Sequence, residues 1–146
     1  MLSNSCKYAI RAVIYIALNT SDTNKIGSKV VAKKLKMPQP FLAKILQELS
    51  KRNIISSSKG PKGGFYLNPQ NLDNSVLDIV ECIDGLDKFN KCFLGLHTCS
   101  GDKPCSVHHI VEPFKNDIVL KLSHNTIAQF AEEIRSGKSF ISLEEI

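Results

Sequence analysis

The fold is decided by one stretch of the chain, residues 39–67, which reads QPFLAKILQELSKRNIISSSKGPKGGFYL. Its first half predicts an amphipathic helix over residues 39–53. Apolar side chains recur there at helical spacing and form one stripe, made of Phe41, Leu42, Ile45, Leu46 and Leu49. The opposite face is polar and carries Lys44, Gln47, Glu48 and Lys51. We therefore expect this helix to pack by one face and to present the other to solvent.

The second half of the stretch, residues 54–67, predicts a tight β-hairpin. Its arms hold β-branched and aromatic residues, namely Ile54, Ile55, Phe65 and Tyr66. Its tip is rich in glycine and carries Lys59 and Lys62. Because glycine has no Cβ, the backbone of the tip can approach a polyanion closely while the lysines neutralise it. A hairpin that served packing alone would not require these lysines, so the helix and hairpin together indicate a DNA-reading unit with a basic wing.

Two helices are predicted ahead of this stretch. The first extends to residue 19, and Ser28 is the predicted N-cap of the second, over residues 29–36. Pro38 ends the second helix, because proline disfavours helical backbone in the residue before it. Pro40 falls in the first turn of the next helix, where a missing N–H is tolerated. A short helix, a tight break and a longer helix form the order of a helix-turn-helix, whose second helix enters the major groove of DNA.

Capping boxes predict two helices after the hairpin. Ser75 and Asp78 have the spacing of a capping box, and Gly85 is suited to end the helix that follows. We expect this helix to pack on the first one. Thr126 and Gln129 have the same spacing ahead of a short final helix. The remaining tail, residues 138–146, is expected to be loosely held.

A long amphipathic helix is predicted between those two, over residues 107–124. Pro113 interrupts its apolar pattern and either kinks the helix or marks its start. Nothing obvious in the same chain covers its apolar side. We therefore expect a homodimer through this helix, which would also place two recognition helices on two half-sites of DNA.

These elements predict a mainly α fold with a small β-hairpin, that is, a winged helix-turn-helix domain plus a long dimerisation helix. We divide the single compact chain into a DNA-binding domain at residues 1–85, a cysteine-rich sensor loop at residues 86–106, and the dimerisation helix with the final short helix at residues 107–146. A chain of 146 residues can bury one core. No run approaches the roughly 20 apolar residues of a membrane span, and we expect a cytoplasmic protein.

The charge is divided unevenly along the chain. The net charge is +5 in total, but residues 1–70 hold twelve basic and two acidic side chains, a net charge of +10. Residues 71–146 hold seven basic and twelve acidic side chains, a net charge of −5. Lysines also solvate ordinary helix faces, so charge alone leaves both interpretations open. Its position on the wing and the recognition helix favours nucleic-acid binding by the first half.

Three cysteines crowd the predicted sensor loop. Cys99 follows Cys92 after six residues, Cys105 follows after five more, and His108 lies three positions beyond Cys105. A structural zinc site usually shows closely spaced cysteine pairs, which are absent here. The wider spacing favours an iron–sulfur cluster held by the three thiolates, with His108 as the best local candidate for a fourth ligand. Redox-active thiols or mobile loop cysteines are the alternative, whereas Cys6 is expected to pack in the core.

Four segments resemble the Rrf2 family of bacterial regulators, which includes the iron–sulfur cluster regulator and the nitric-oxide-sensing repressor. They are SNSCKYA at residues 3–9, PFLAKIL at 40–46, KGPKGGF at 59–65 and LDIVECIDG at 77–85. The resemblance implies a dimeric winged-helix transcription factor. In cluster-binding members three loop cysteines hold the iron–sulfur centre, and these match Cys92, Cys99 and Cys105.

The resemblance extends to the fourth ligand and has two departures. The member that uses a histidine places it where His108 stands. The best-known cluster-binding members have five residues between the first two cysteines, and this chain has six. The wing position that is usually arginine is Lys59, which keeps the charge but not the bidentate geometry.

The expected function is that of a dimeric regulator, a repressor, whose affinity for a double-stranded DNA operator is set by a [2Fe–2S] or [4Fe–4S] cluster. The cluster would sense redox state, nitric oxide or iron status. The alternative is the same regulator without a cluster, switched by thiol oxidation, zinc, a small molecule or a partner protein. We expect no enzymatic activity. The predicted metal ligands are Cys92, Cys99, Cys105 and His108. The predicted DNA contacts are Ser28, Gln39, Pro40, Lys44, Ser57, Lys59, Gly60, Lys62, Gly63 and Gly64.

Overall fold

A computed structural model describes residues 1–142 and contains eight helices and one hairpin within them. In chain order these are α1 (Asn4–Asn19), α2 (Ser28–Lys34), α3 (Gln39–Lys51), β1 (Ser56–Ser58), β2 (Gly64–Tyr66), α4 (Pro69–Leu72), α5 (Val76–Asp84), α6 (Asp87–Asn90), α7 (His108–His124) and α8 (Ile127–Arg135). The predicted mainly α fold with a small antiparallel hairpin is confirmed. None of the described helices combines the length and the apolar run that crossing a bilayer requires.

Helix α1 lies at the centre of the core. The Ser3 side chain caps it by accepting a hydrogen bond of 3.0 Å from the backbone N–H of Cys6. Both α5 and α8 pack on α1, and most of its apolar residues are buried. Cys6 is fully buried, as predicted for a packing residue, and burial raises its pKa to about 11. This thiol is therefore protonated and structural.

The helix-turn-helix differs from its prediction at three helix ends and at one side chain. Helix α2 ends at Lys34 instead of at residue 36. The predicted N-cap at Ser28 is wrong: Gly27 caps α2 through its carbonyl, which accepts from the N–H of Val30, and Ser28 is the first helical residue. Helix α3 ends two residues before the predicted end at 53, because Asn53 adopts a left-handed backbone conformation with φ of 56°. Phe41 is 43% exposed instead of packing with the apolar stripe of α3, which is otherwise buried.

The hairpin is held by a third chain segment that the sequence did not reveal. Strands β1 and β2 pair with Ser57 opposite Phe65. Ile26, in the loop before α2, then pairs with Phe65 through two backbone hydrogen bonds of 2.9 and 2.8 Å. The wing is therefore fixed to the loop that leads into the helix-turn-helix.

Both predicted capping boxes are present. Ser75 and Asp78 start α5, which ends at Gly85 with φ of 73°, and Thr126 and Gln129 start α8. The short helices α4 and α6 were not predicted, because four residues are too few to show a period. We grouped α8 with the dimerisation segment, but its Ile127 and Ala131 are buried in the same core as α1.

Helix α7 begins at His108, and Pro113 lies inside it, so the alternative that Pro113 marks its start is wrong. Its Ile118 and Val119 pack on a second cluster of buried residues around Phe89. No residue of α7 is fully buried. Of the predicted tail, residue 142 is tied to α1 because its carbonyl accepts from Arg11, and residues 143–146 lie outside the described residues.

Candidate metal centre and nucleic-acid interface

Three thiols converge between α6 and α7. The sulfur atoms of Cys92, Cys99 and Cys105 all lie within 4.8 Å of one another, and each side chain is half-buried. The loop is folded over them by local hydrogen bonds, such as the one of 3.1 Å from the N–H of Lys103 to Oγ of Ser100. The structure thus brings together the three cysteines that the sequence predicted as ligands.

The four predicted ligands form two pairs. Sγ of Cys92 lies 3.7 Å from Sγ of Cys105, and Sγ of Cys99 lies 3.3 Å from Nδ1 of His108. His108 is the first residue of α7, so the helix carries the imidazole to the edge of the thiol group. His97 and His109, the other histidines near the loop, are exposed. The arrangement offers three soft thiolates and one imidazole to a metal centre.

The thiols differ in acidity. Backbone N–H groups, above all that of Leu96, outweigh burial and lower the pKa of Cys92 to about 7. The backbone N–H of Cys105 also acts to lower the pKa of Cys99, but burial and the neighbouring thiols outweigh it and raise that pKa. Of these two thiols, Cys92 is therefore the more readily available as a thiolate near neutral pH.

A polar clasp connects the start of the cysteine loop to the beginning of the chain. Ser3 donates to the Asp84 carboxylate through its hydroxyl and through its backbone N–H, the latter at 2.9 Å. Lys88, in α6, forms an ion pair with the same carboxylate and donates to the carbonyl of Met1 at 3.2 Å. Burial acts to raise the pKa of Asp84, but the hydrogen bonds from Lys88 and Ser3 outweigh it and lower that pKa.

A cavity of about 420 Å³ opens beside Cys92, one of the predicted metal ligands. Its walls are mainly apolar and come from α6, the cysteine loop and α7, including Phe89, Phe93 and Phe114. Lys115 spans one side and donates a hydrogen bond of 2.9 Å to the carbonyl of Lys91. Phe93 and Phe114 are 73% and 56% exposed, so this wall is open to solvent in the single chain.

Helix α3 presents a polar surface outside the cysteine loop. Gln39, Pro40 and Lys44 are exposed near its start, while its buried face packs on α2 and α5. Ser28 is half-buried and accepts a hydrogen bond of 3.4 Å from Nε2 of Gln39. The predicted DNA contacts of the helix-turn-helix therefore lie close together, but Ser28 is less exposed than Gln39.

The wing carries its charges outward. Lys59, Gly60 and Lys62 are exposed at its tip, where the N–H of Gly63 donates to the carbonyl of Gly60 at 2.9 Å. Ser57 is also exposed, and its hydroxyl lies 3.0 Å from that of Ser50 in α3. This contact joins the wing to the recognition helix, so both surfaces are presented as one unit.

Gly63 and Gly64 have a steric role that their sequence position did not show. A Cβ on Gly63 would lie 2.4 Å from the carbonyl oxygen of Ser58. A Cβ on Gly64, which has φ of 151°, would lie 2.8 Å from the backbone of Ile26. Both glycines are half-buried, so they shape the wing in addition to any contact with DNA.

Sequence reasoning missed one residue of this surface, Lys25. Its ammonium lies 4.8 Å from the centre of the Tyr66 ring, which is within cation–π range. The contact places another positive charge at the base of the wing. The sequence gave no indication of this contact, because Tyr66 lies 41 positions after Lys25.

Comparisons with known proteins agree with this geometry. A family model described as an iron-dependent transcriptional regulator, Rrf2, matches residues 2–133. An HTH-type transcriptional regulator of Aquifex aeolicus (strain VF5) is 41% identical over 120 residues, which cover 81% of this chain and 82% of the relative. IscR of Klebsiella pneumoniae (strain 342) is 23% identical over 128 residues, which cover 88% and 77%.

Solved structures are similar in fold. CymR, the global cysteine regulator of B. subtilis, superposes with a TM-score of 0.73 at 15% identity, covering 90% of this chain and 96% of that chain. IscR of T. potens superposes with a TM-score of 0.70 at 21% identity, covering 97% and 93%. The resemblance inferred from the four sequence segments is confirmed, and the chain belongs to the Rrf2 family of winged-helix transcriptional regulators.

Proposed function

We propose that the protein is a homodimeric DNA-binding regulator whose operator affinity is set by an iron–sulfur cluster. Cys92, Cys99 and Cys105 would hold the cluster, with His108 as the fourth ligand. The single observation that carries this proposal is the convergence of three thiols within 4.8 Å on a winged-helix protein. It acts on double-stranded DNA in the cytoplasm, as a repressor that senses redox state, nitric oxide or iron status, and it has no catalytic role.

The donor set fits such a centre. Two thiolates on one tetrahedral metal ion, each about 2.3 Å from it, lie about 3.8 Å apart. Cys92 and Cys105 match that separation at 3.7 Å, and Cys99 with His108 forms a second close pair at 3.3 Å. Three thiolates and one imidazole are donors that would suit either a [2Fe–2S] or a [4Fe–4S] cluster. A bound cluster supplies a centre that oxidants, nitric oxide or loss of iron can alter.

The chain also provides a route from the centre to the DNA-binding surface. Cys92 lies two residues after α6, and Lys88 of α6 is held by Asp84 at the end of α5. Asp84 in turn holds Ser3, the cap of α1. Both α1 and α5 pack against α3, the recognition helix. A change in the cysteine loop would therefore affect α1 and α5, the helices that support α3.

Dimerisation is supported by exposed apolar side chains of α7. Ile110, Phe114 and Leu120 are 65%, 56% and 55% exposed, which is unusual for three large apolar side chains on one helix. A second copy of α7 would cover them and would place two α3 helices in one assembly.

The DNA contacts are proposed on the exposed charges and polar groups of α3 and the wing. Gln39, Pro40 and Lys44 would contact the major groove, and Ser57, Lys59, Gly60, Lys62, Gly63 and Gly64 would contact the backbone and the adjacent groove. Most lysine contacts go to phosphates, which position the protein without reading sequence.

The test is purification under anaerobic conditions, with an absorption spectrum and iron and sulfide assays on one sample. We expect a coloured protein with visible charge-transfer bands. The colour should be lost in Cys92→Ala and kept in the matched control Cys82→Ala, whose thiol lies against α3 and outside the ligand group. A colourless wild type without iron or sulfide, produced in iron-replete cells, would overturn the proposal that the chain binds an iron–sulfur cluster.

A cluster-free regulator is the second candidate, favoured by the same short distance of 3.7 Å between Cys92 and Cys105. These thiols suit oxidation to a disulfide, and the three cysteines with His108 also suit one zinc ion. A small molecule or a partner protein would be another trigger of a cluster-free regulator. A zinc content of one per chain, or operator binding that responds to oxidant in iron-free protein, would support this candidate.

A further inference from the structure

Gln39 occupies the position from which a recognition helix meets base edges. It is the first residue of α3 and is exposed to solvent. Base contacts of a helix-turn-helix come from the N-terminal residues of its second helix. Pro40, which is exposed beside Gln39, and Ala43, which is half-buried one turn further along, have no side-chain hydrogen-bonding group. Gln39 is therefore the first side chain of α3 that can distinguish bases by hydrogen bonds.

Ser28 restricts the Gln39 amide. Its hydroxyl accepts a hydrogen bond of 3.4 Å from Nε2 of Gln39, and it is half-buried at the start of α2. The two helices pack on each other, so the serine belongs to the same rigid unit as the recognition helix. A glutamine in a fixed orientation loses less conformational entropy on binding than a free one.

The groups that remain on Gln39 are complementary to one base. A side-chain amide has two N–H donors and one carbonyl acceptor. Ser28 accepts from one donor, which leaves the second N–H and the carbonyl Oε1. Adenine offers N7 as an acceptor and its N6 amino group as a donor on the major-groove edge, and glutamine is a matching bidentate partner.

We propose that Gln39 recognises one adenine in each operator half-site and that Ser28 is the positioning residue that orients its amide. This inference rests on the proposed DNA binding and adds the base that is read and the two residues that read it. Lys44 and the wing lysines provide affinity, and Gln39 provides discrimination.

The test is selection from a randomised duplex library by the full-length protein, performed with anaerobically purified and with metal-free samples. Wild type should enrich sequences with adenine at one position in each half-site. Gln39→Ala should lose that preference by about tenfold or more at this position only. Gln47→Ala, which removes an amide two turns further along the exposed face, is the matched control and should keep the adenine preference.

Ser28 is tested by the same selection. Ser28→Ala should weaken the adenine preference at this position only, and Ser28→Thr, which keeps the hydroxyl, should retain it. A Gln39→Ala protein that enriches the same sequences as wild type with equal preference would overturn this inference but not the proposed DNA binding. A wild type that binds no duplex would instead overturn the proposed function and this inference with it.

Discussion

At the scale of single residues, the wing depends on glycines for steric reasons. Gly64 lies where the backbone of Ile26 crosses the hairpin, and any side chain there would meet that backbone at 2.8 Å. The contact is with main-chain atoms, which cannot rotate aside as a flexible side chain can. The same pairing between Ile26 and Phe65 holds the wing against the helix-turn-helix.

We expect Gly64→Ala to destabilise the protein by about 1–3 kcal/mol, because alanine is strained at φ of 151° and collides with Ile26. The measurement is the free energy of unfolding in urea. The matched control is Gly101→Ala, since a Cβ on Gly101 has nothing within 4 Å. Equal stability of the two variants would contradict the steric role of Gly64.

The Asp84 clasp makes stability depend on pH in a stated direction. The pKa of Asp84 in the folded protein lies below its ordinary value of 3.8. The clasp therefore contributes its full stability above that pH and loses it as the pH falls through the lower, folded-state pKa. Asp84→Asn should remove about 1.5 kcal/mol at pH 7, since a hydrogen-bonded charge is lost.

The check is a series of urea unfolding curves from neutral to acidic pH. Wild type and Asp84→Asn should differ at neutral pH and converge as the carboxylate of the wild type becomes protonated. Asp117→Asn serves as the control because that carboxylate is 53% exposed and forms a surface pair with Lys121. A constant difference at all pH values would show that the charge of Asp84 is not the cause.

At the scale of elements, the wing should bind DNA mainly through charge. Lys62 is exposed at its tip and is expected to neutralise one phosphate. Lys62→Ala should weaken binding to all duplexes by a similar factor and reduce the slope of log K against log salt by about 0.9. Fluorescence anisotropy over a range of salt concentrations measures this slope. Lys103→Ala, an exposed lysine in the cysteine loop, should leave it unchanged.

Helix α7 carries exposed apolar side chains, including Phe114, that we expect a second copy to cover. Phe114→Glu should raise the dimer dissociation constant by about a hundredfold or more, because two-fold symmetry places the charge in the interface twice. Light scattering coupled to size-exclusion chromatography measures the mass over a range of concentrations. Phe140→Glu is the control, as Phe140 is 85% exposed and lies outside α7. A wild type that remains a monomer at all concentrations would contradict the dimer.

At the scale of the whole molecule, packed helices connect the proposed metal centre to the proposed DNA surface, because α7 packs on α5 and α5 packs on α3. If the proposed centre sets operator affinity, the coupling is reciprocal. Operator DNA should then change the affinity of the chain for its metal centre by the same factor, typically about 5- to 150-fold. Competition with a chelator, with and without operator DNA, measures this factor. A random duplex of equal length is the control. Equal metal affinities without DNA, with operator DNA and with the random duplex would show that metal binding and DNA binding are uncoupled.

Local patterns determined much of this protein. The capping boxes at Ser75 and Thr126 act over three residues, and the apolar stripe of α3 follows from helical period alone. The predicted ligands Cys92, Cys99, Cys105 and His108 lie within one short segment, so their spacing was sufficient to bring them together. The resemblance to the Rrf2 family rested on segments of the same local kind.

Only the tertiary structure decided the contacts between distant parts of the chain. Ile26 pairs with the wing 39 positions away, Ser3 and Asp84 meet across 81 positions, and α8 returns to the core of α1. The hydrogen bond between Ser28 and Gln39 likewise depends on how α2 packs against α3. The physical reason is that helical period and capping are properties of neighbouring residues, whereas these contacts form only after loops close and bring separate helices and strands together.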